Sequence, residues 1–198
     1  MQTKIKILSF VVLISGILIL SLFQEKDNPL RMVDRATGLF AYFFIFLAIL
    51  SSEYMIQMKK VFGKGFIAIH HFLAKIGIFL MILHPIAFAF EEQSASVFVP
   101  VLYPVMDFLE LAGRPAFYLI IIAVSAGLYR KKLGRKWIKF HYLNYIAFLL
   151  IFIHAWLIGT DLQSGIMQLI WINMALIVIG VFIDKHFIPL KKLLQTEV

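Results

Sequence analysis

Six apolar runs separated by short polar or charged segments organise this chain. They cover roughly Ile5–Phe23, Thr37–Met55, Ile67–Phe90, Pro115–Tyr129, Trp137–Gly159 and Ile166–Phe187. A helix of about 20 apolar residues crosses a hydrocarbon core of about 30 Å. The fourth run is the shortest, with room to reach back to Phe108. Lipid offers no partner to a stray backbone N–H or C=O, so the runs are expected to be helices. The period-two alternation of a membrane strand is not visible. The expected fold class is therefore all-α, a six-transmembrane-helix bundle forming a single domain over 1–198. The first run, with Lys4 and Lys6 ahead of it, has the outline of a signal peptide. Ser21-Leu22-Phe23-Gln24 offers no small-x-small cleavage site, so it is read as a retained helix.

Composition agrees with that pattern. Of 198 residues, 62% are hydrophobic and 15% charged, with a mean hydropathy of +0.91, far from the balance of soluble domains. The net charge of +8 would suggest nucleic acid in a soluble protein; here the basic residues set orientation instead, and no nucleic-acid partner is expected. Lys4, Lys6, Lys59, Lys60, Lys64, the Arg130–Lys139 segment, Lys185, Lys191 and Lys192 fall on one side of the alternating runs. Glu25, Asp27, Asp34, Glu91, Glu92, Asp107, Glu110 and Asp161 fall on the other, with only Lys26, Arg31, Arg35 and Arg114 as basic residues. By the positive-inside rule both termini are expected to be cytoplasmic. The chain has no cysteine, which excludes disulfides, thiolate ligands, iron–sulfur clusters and covalent haem attachment. Nothing resembles a P-loop or a GxGxxG turn. The apolar Glu91–Arg114 segment, with Phe98, Val99, Val101, Leu102 and Tyr103, is expected to lie on the membrane surface or to cap the bundle.

The candidate chemistry lies in the histidines, because ionisable residues inside a bilayer are costly and suggest function. His70 and His84 lie on the third run, and His141 and His154 on the fifth, with nearly equal spacing in the two pairs. Those runs are parallel, which gives two levels roughly 20 Å apart. Each level has one imidazole from each helix: His70 with His141 near the cytoplasm, His84 with His154 toward the outside. That separation is too large to chelate one zinc or copper ion, but two level pairs suit two haems, each clamped between two helices. The rotation is uneven. The step from His70 returns His84 to within roughly 40° of it, whereas the step from His141, one position shorter, leaves His154 roughly 140° away. The fifth helix therefore needs a local bend, a π-bulge or two differently rotated sites. His71, next to His70, points elsewhere and is the lesser candidate; His186 is read as interfacial. Pro85 follows His84 and is placed to aim it. Phe79, Phe88, Phe148 and Phe152 are candidate pocket linings. For anionic propionates the candidate cations are Lys75, Lys131 and Arg135 on the inner side and Arg35 and Arg114 on the outer.

At these residues the sequence resembles the ferric reductase-like transmembrane domain family. The segment His70-His71-Phe72-Leu73-Ala74-Lys75, followed by His84, looks like that family's first haem helix. His71 stands where the family carries a basic residue. Trp137-Ile138-Lys139-Phe140-His141 through His154 looks like its W-x3-H-x12-H pattern, and Arg35-Ala36-Thr37-Gly38 like the start of its preceding helix. The resemblance covers Arg35 to His154, for a core of about 35–159. In size the chain is similar to the small haem-binding membrane subunit of bacterial periplasmic methionine sulfoxide reductase systems.

The resemblance implies two haem b groups held by His70, His84, His141 and His154, with FMN as an allowed further cofactor. It implies transmembrane electron transfer, located in a bacterial plasma (inner) membrane, by an oxidoreductase component rather than a complete reductase. The donor would be a cytoplasmic flavin reductase or a membrane quinol, and the acceptor an extracytoplasmic redox protein or ferric iron. The alternative is a membrane transporter or proton or metal relay using intramembrane histidines; Glu53, the only carboxylate within an apolar run and near its end, argues against it. A third reading is a structural subunit whose histidines only join helices.

Overall fold

The computed structural model describes residues 2–24, 28–63 and 66–186, the side chains of Phe66 and His186 apart, and among these every regular element is helical. Lys26, Lys64, Lys191, Lys192, Glu25 and Asp27 of the charge pattern, and the His186 side chain, lie outside the described residues. Two long helices come first, α1 over Gln2–Leu22 and α2 over Pro29–Glu53. A short α3, Met55–Phe62, leads to α4, Phe66–Glu91. A 3₁₀ turn at Ala95–Phe98 and a short α5, Val105–Glu110, precede α6, Gly113–Leu128. Then follow α7 (Arg130–Leu133), α8 (Trp137–His141) and α9 (Leu143–Ile158), a 3₁₀ turn at Thr160–Gln163, and α10 (Gly165–His186).

Five helical stretches are long and apolar enough to cross a membrane: Gln2–Leu22, Pro29–Glu53, Ile67–Glu91, Arg130–Ile158 and Gly165–Lys185. The fourth apolar run differs. Its helix α6 has 16 residues, about 24 Å of rise, and its expected extension back to Phe108 is the separate helix α5.

The core is built around α2. Tyr42, Phe43 and Phe46 on this helix are at most 1% exposed, and Trp171 of α10, Phe148 of α9 and Leu18 of α1 close over them. The Tyr42 ring stacks on Phe148 at 4.4 Å and on Trp171 at 4.7 Å. Lipid is as apolar as leucine, so such interdigitation, and not the exclusion of water, holds membrane helices together. The two closest helix pairings are α2 with α4 and α6 with α9. Gly77 of α4 permits the first, because a Cβ there would stand 3.1 Å from Ile45 and 3.3 Å from its backbone nitrogen.

The second helix begins earlier than hydropathy suggests. Asn28 accepts a hydrogen bond from the Arg31 amide at 2.8 Å and Pro29 occupies the first turn, the usual chemistry of a helix start. Asp34 and Arg35, expected in an outward loop, are therefore buried in α2, each 7% exposed. Arg35 is fixed at once: Nε and Nη2 donate to the two carboxylate oxygens of Asp161 at 3.0 and 2.6 Å, and Nη2 also donates to the Ser21 carbonyl. This pair joins α1, α2 and the turn before α10.

The two ends of the bundle differ in charge. At one end Lys4 lies over the Phe62 ring and Lys185 over the Tyr54 ring. At the other, Arg31 faces Glu91 at 3.6 Å and Arg35 meets Asp161. The Glu91–Arg114 segment folds against α6 at that second end. Arg114 donates to the Ser96 and Val99 carbonyls at 3.1 Å, Tyr118 donates to the Phe98 carbonyl at 2.7 Å, Val97 is buried, and Leu102 and Tyr103 stay exposed.

Candidate functional site: paired histidines between two helix pairs

All four singled-out histidines make the same kind of bond to a neighbouring helix. His70 Nδ1 meets the Ala48 carbonyl at 2.9 Å and His84 Nδ1 the Asp34 carbonyl at 3.0 Å. His141 Nδ1 meets the Ala123 carbonyl at 3.0 Å and His154 Nδ1 the Glu110 carbonyl at 2.6 Å. The register matches on both sides. The step from His70 up to His84 is answered by an equal step from Ala48 back to Asp34 on α2. The shorter step from His141 to His154 is answered by an equal one from Ala123 of α6 back to Glu110 of α5. That is the signature of antiparallel pairs held in strict step.

A carbonyl oxygen only accepts, so Nδ1 carries the proton in each ring. The lone pair of a neutral imidazole is then on Nε2, the atom available to a metal, and a ligating histidine is usually oriented by just such a bond from its other nitrogen. No hydrogen bond joins any of these four Nε2 atoms to a described residue.

The rings of each level also lie within influence of one another across the two helix pairs. His70 is within electrostatic reach of His141, and His154 of His84. The outer pair, His84 and His154, line one cavity of about 270 Å³ together with Gly38, Gly113, Arg31, Arg35, Arg114 and Tyr42. The His84 side chain keeps 35% of its surface accessible, and this cavity is where it opens. Glycine makes room for three of the rings. A Cβ on Gly38 would lie 3.0 Å from His84, one on Gly113 3.0 Å from His154, and one on Gly127 3.5 Å from His141. Among the described residues no three His, Asp or Glu side chains gather to hold one ion. A flat group gripped from both faces needs only two.

The uneven rotation has a local cause. The helix is interrupted at Tyr142, where Tyr145 N bonds back to the Tyr142 carbonyl at 3.0 Å. The facing helix is interrupted at Leu111–Ala112. His154 therefore bonds to the end of α5 while His141 bonds to α6, and two breaks share the misfit. The Trp137-x3-His141 spacing has a physical meaning too: one turn apart, the two rings lie 5.4 Å centre to centre.

The remaining candidates divide. Pro85 and Phe88 line the cavity; Phe148 is buried in the Tyr42 stack, Phe152 stacks on Trp156, and Phe79 is exposed. Lys75, Lys131, Arg135 and His71 are exposed; Lys75 does not line the cavity. Arg35 lines it, but Asp161 cancels its charge. Arg114 spends its donors on neutral carbonyls, so its charge faces the cavity undiminished. Glu53 accepts from the Tyr145 hydroxyl at 2.6 Å.

Sequence reasoning missed Asp34. Its Oδ1 lies 2.8 Å from His84 Nδ1, beside its own carbonyl. The helix α2 thus carries two carboxylates, not one. The Asn28-Pro29 start was the signal that would have moved Asp34 from loop to helix. No family model, curated protein or solved structure matches this chain.

Proposed function

We propose that the chain carries electrons across a membrane through two b-type haems, one at each histidine level. The observation that carries this is the common pose of the four imidazoles: Nδ1 spent on a facing carbonyl, Nε2 left for a ligand, in matched register on two helix pairs. Histidines that merely joined helices would have no reason to leave the same nitrogen unspent four times. His70 and His141 would hold the inner group, His84 and His154 the outer one. Such a group would supply a one-electron Fe(III)/Fe(II) couple suited to outer-sphere transfer.

The protein residues orient and insulate. The carbonyls of Ala48, Asp34, Ala123 and Glu110 fix ring tautomer and direction. Gly38, Gly113 and Gly127 keep the space beside the rings clear. Arg114 is the cation best placed for an anionic edge at the outer level. Tyr42 and Trp171 add apolar lining to the outer cavity.

The short α6, extended by α5, completes six crossings in this reading, and the even number returns both termini to one side. The Lys-rich end, with Lys4, Lys59, Lys60 and Lys185, is then cytoplasmic. A cytoplasmic flavin reductase or a quinol would deliver electrons, and an extracytoplasmic redox protein or ferric iron would take them. This is the arrangement of the ferric reductase-like membrane domains that the histidine spacing resembles. The test is spectroscopic: detergent-purified protein should show a low-spin b-type spectrum, fully reducible by dithionite. His84→Ala and His154→Ala should each lose one haem of two, and His70→Ala and His141→Ala the other. Loss of neither in any single variant would refute the pairing.

A further inference from the structure

Three of the four histidines have only neutral company at Nδ1. His70 has the Ala48 carbonyl and, at 3.4 Å, the Ser51 hydroxyl. His141 has the Ala123 carbonyl and, at 3.5 Å, the Asn144 amide. His154 has the Glu110 carbonyl. His84 alone among them has a carboxylate oxygen at 2.8 Å, from a side chain only 9% exposed. That oxygen makes no hydrogen bond to any described residue, so its approach to the ring is a close charge contact beside the carbonyl bond. Of the cations lining the same cavity, Arg35 is paired with Asp161 and Arg31 lies near Glu91, while Arg114 bonds the Ser96 and Val99 carbonyls and forms no ion pair with Asp34. The closest approach of the Asp34 carboxylate is to the His84 ring nitrogen, and its charge also reaches His154 on the same level.

We propose that Asp34 acts through His84 to lower the midpoint potential of the outer iron, leaving the inner one untouched. The inference rests on the haem reading. A carboxylate this close to Nδ1 makes the imidazole a stronger donor through Nε2. Added negative charge favours ferric over ferrous iron, and a low-dielectric surrounding strengthens the effect. The Nδ1 bond to the carbonyl holds the ring, so the Asp34 carboxylate is a tuning group that never touches the iron. Two sites with the same pair of axial ligands are thereby made unequal from the second layer of contacts.

The experiment is a potentiometric titration of the detergent-purified full chain, followed in the visible spectrum, with Asp34→Asn as the variant. Asparagine keeps the shape and an acceptor oxygen but removes the charge. The component missing from His84→Ala identifies the outer iron. In Asp34→Asn that component alone should move to higher potential, the other staying where it was, with two haems still bound. Asp34→Glu, which keeps the charge, should lie between asparagine and wild type. An unmoved outer potential in Asp34→Asn with both haems bound would overturn the proposal and leave the haem reading intact. So would loss of the outer haem from Asp34→Asn and Asp34→Glu alike, which would make Asp34 a packing residue. A wild-type protein without haem would instead sink the reading on which the proposal rests.

Discussion

At the scale of single residues, the four histidines were legible because their spacing repeats and because histidine is expensive in lipid. The preference for His70 over His71 has a counterpart in the structure: His70 is bonded to α2, while His71 is exposed. What spacing could not give was the nitrogen used, since that depends on carbonyls of other helices. Nor could it give the glycines, whose role is to be absent where a ring passes. They make a graded prediction. Gly38→Ala and Gly113→Ala each place a carbon 3.0 Å from an imidazole, where something must shift, so each should weaken the outer haem. Haem per chain should fall from about two toward one in both variants. Gly127→Ala adds only an ordinary contact at 3.5 Å to His141 and should retain both. Equal haem content in all three would show that the glycines are incidental.

At the scale of elements, hydropathy located the helices but misjudged their ends and breaks. Asp34 and Arg35 look like loop residues because they are charged, and the Asn28-Pro29 helix start went unread. The same charge is accommodated in the structure by Asp161, far along the chain, a pairing no local pattern can reveal. Spacing left a bend, a π-bulge or two differently rotated sites open in the fifth run, and it did not point to the interruption at Tyr142. It follows from fitting His141 and His154, off the helical period, to one antiparallel neighbour.

The Arg35–Asp161 clamp yields a stability prediction. Both side chains are 5% exposed, so removing one partner strands a buried charge, at a cost of about 3–5 kcal/mol. Arg35→Met and Asp161→Leu should each lower the thermal midpoint in detergent markedly. The double variant should lie closer to wild type than either single one, as expected when an ion pair is exchanged for apolar side chains. Additive losses in the double variant would mean that the pair acts only through packing.

At the scale of the whole molecule, the all-helical class and five membrane-length helices followed from composition and run length. The count of six crossings was also read from the runs, but among the described residues the structure has five helices of that length, because α6 is short and its expected extension is the separate helix α5. Orientation can be tested cleanly in a chain that contains no cysteine. Glu92→Cys and Lys131→Cys lie at opposite ends of the proposed topology, both at exposed positions. In intact cells a membrane-impermeant maleimide should label the first and spare the second. The reverse pattern, or labelling of both, would overturn the assignment of the Lys-rich end to the cytoplasm.

The four matched imidazoles make one claim above the others, that this bundle exists to hold haem. The most direct measurement is the haem-to-protein ratio of the purified chain from haem-replete cells, read with its dithionite-reduced minus oxidised spectrum. Two occupied histidine levels predict about two low-spin b-type haems per chain, fully reducible. A colourless, folded protein would contradict that claim.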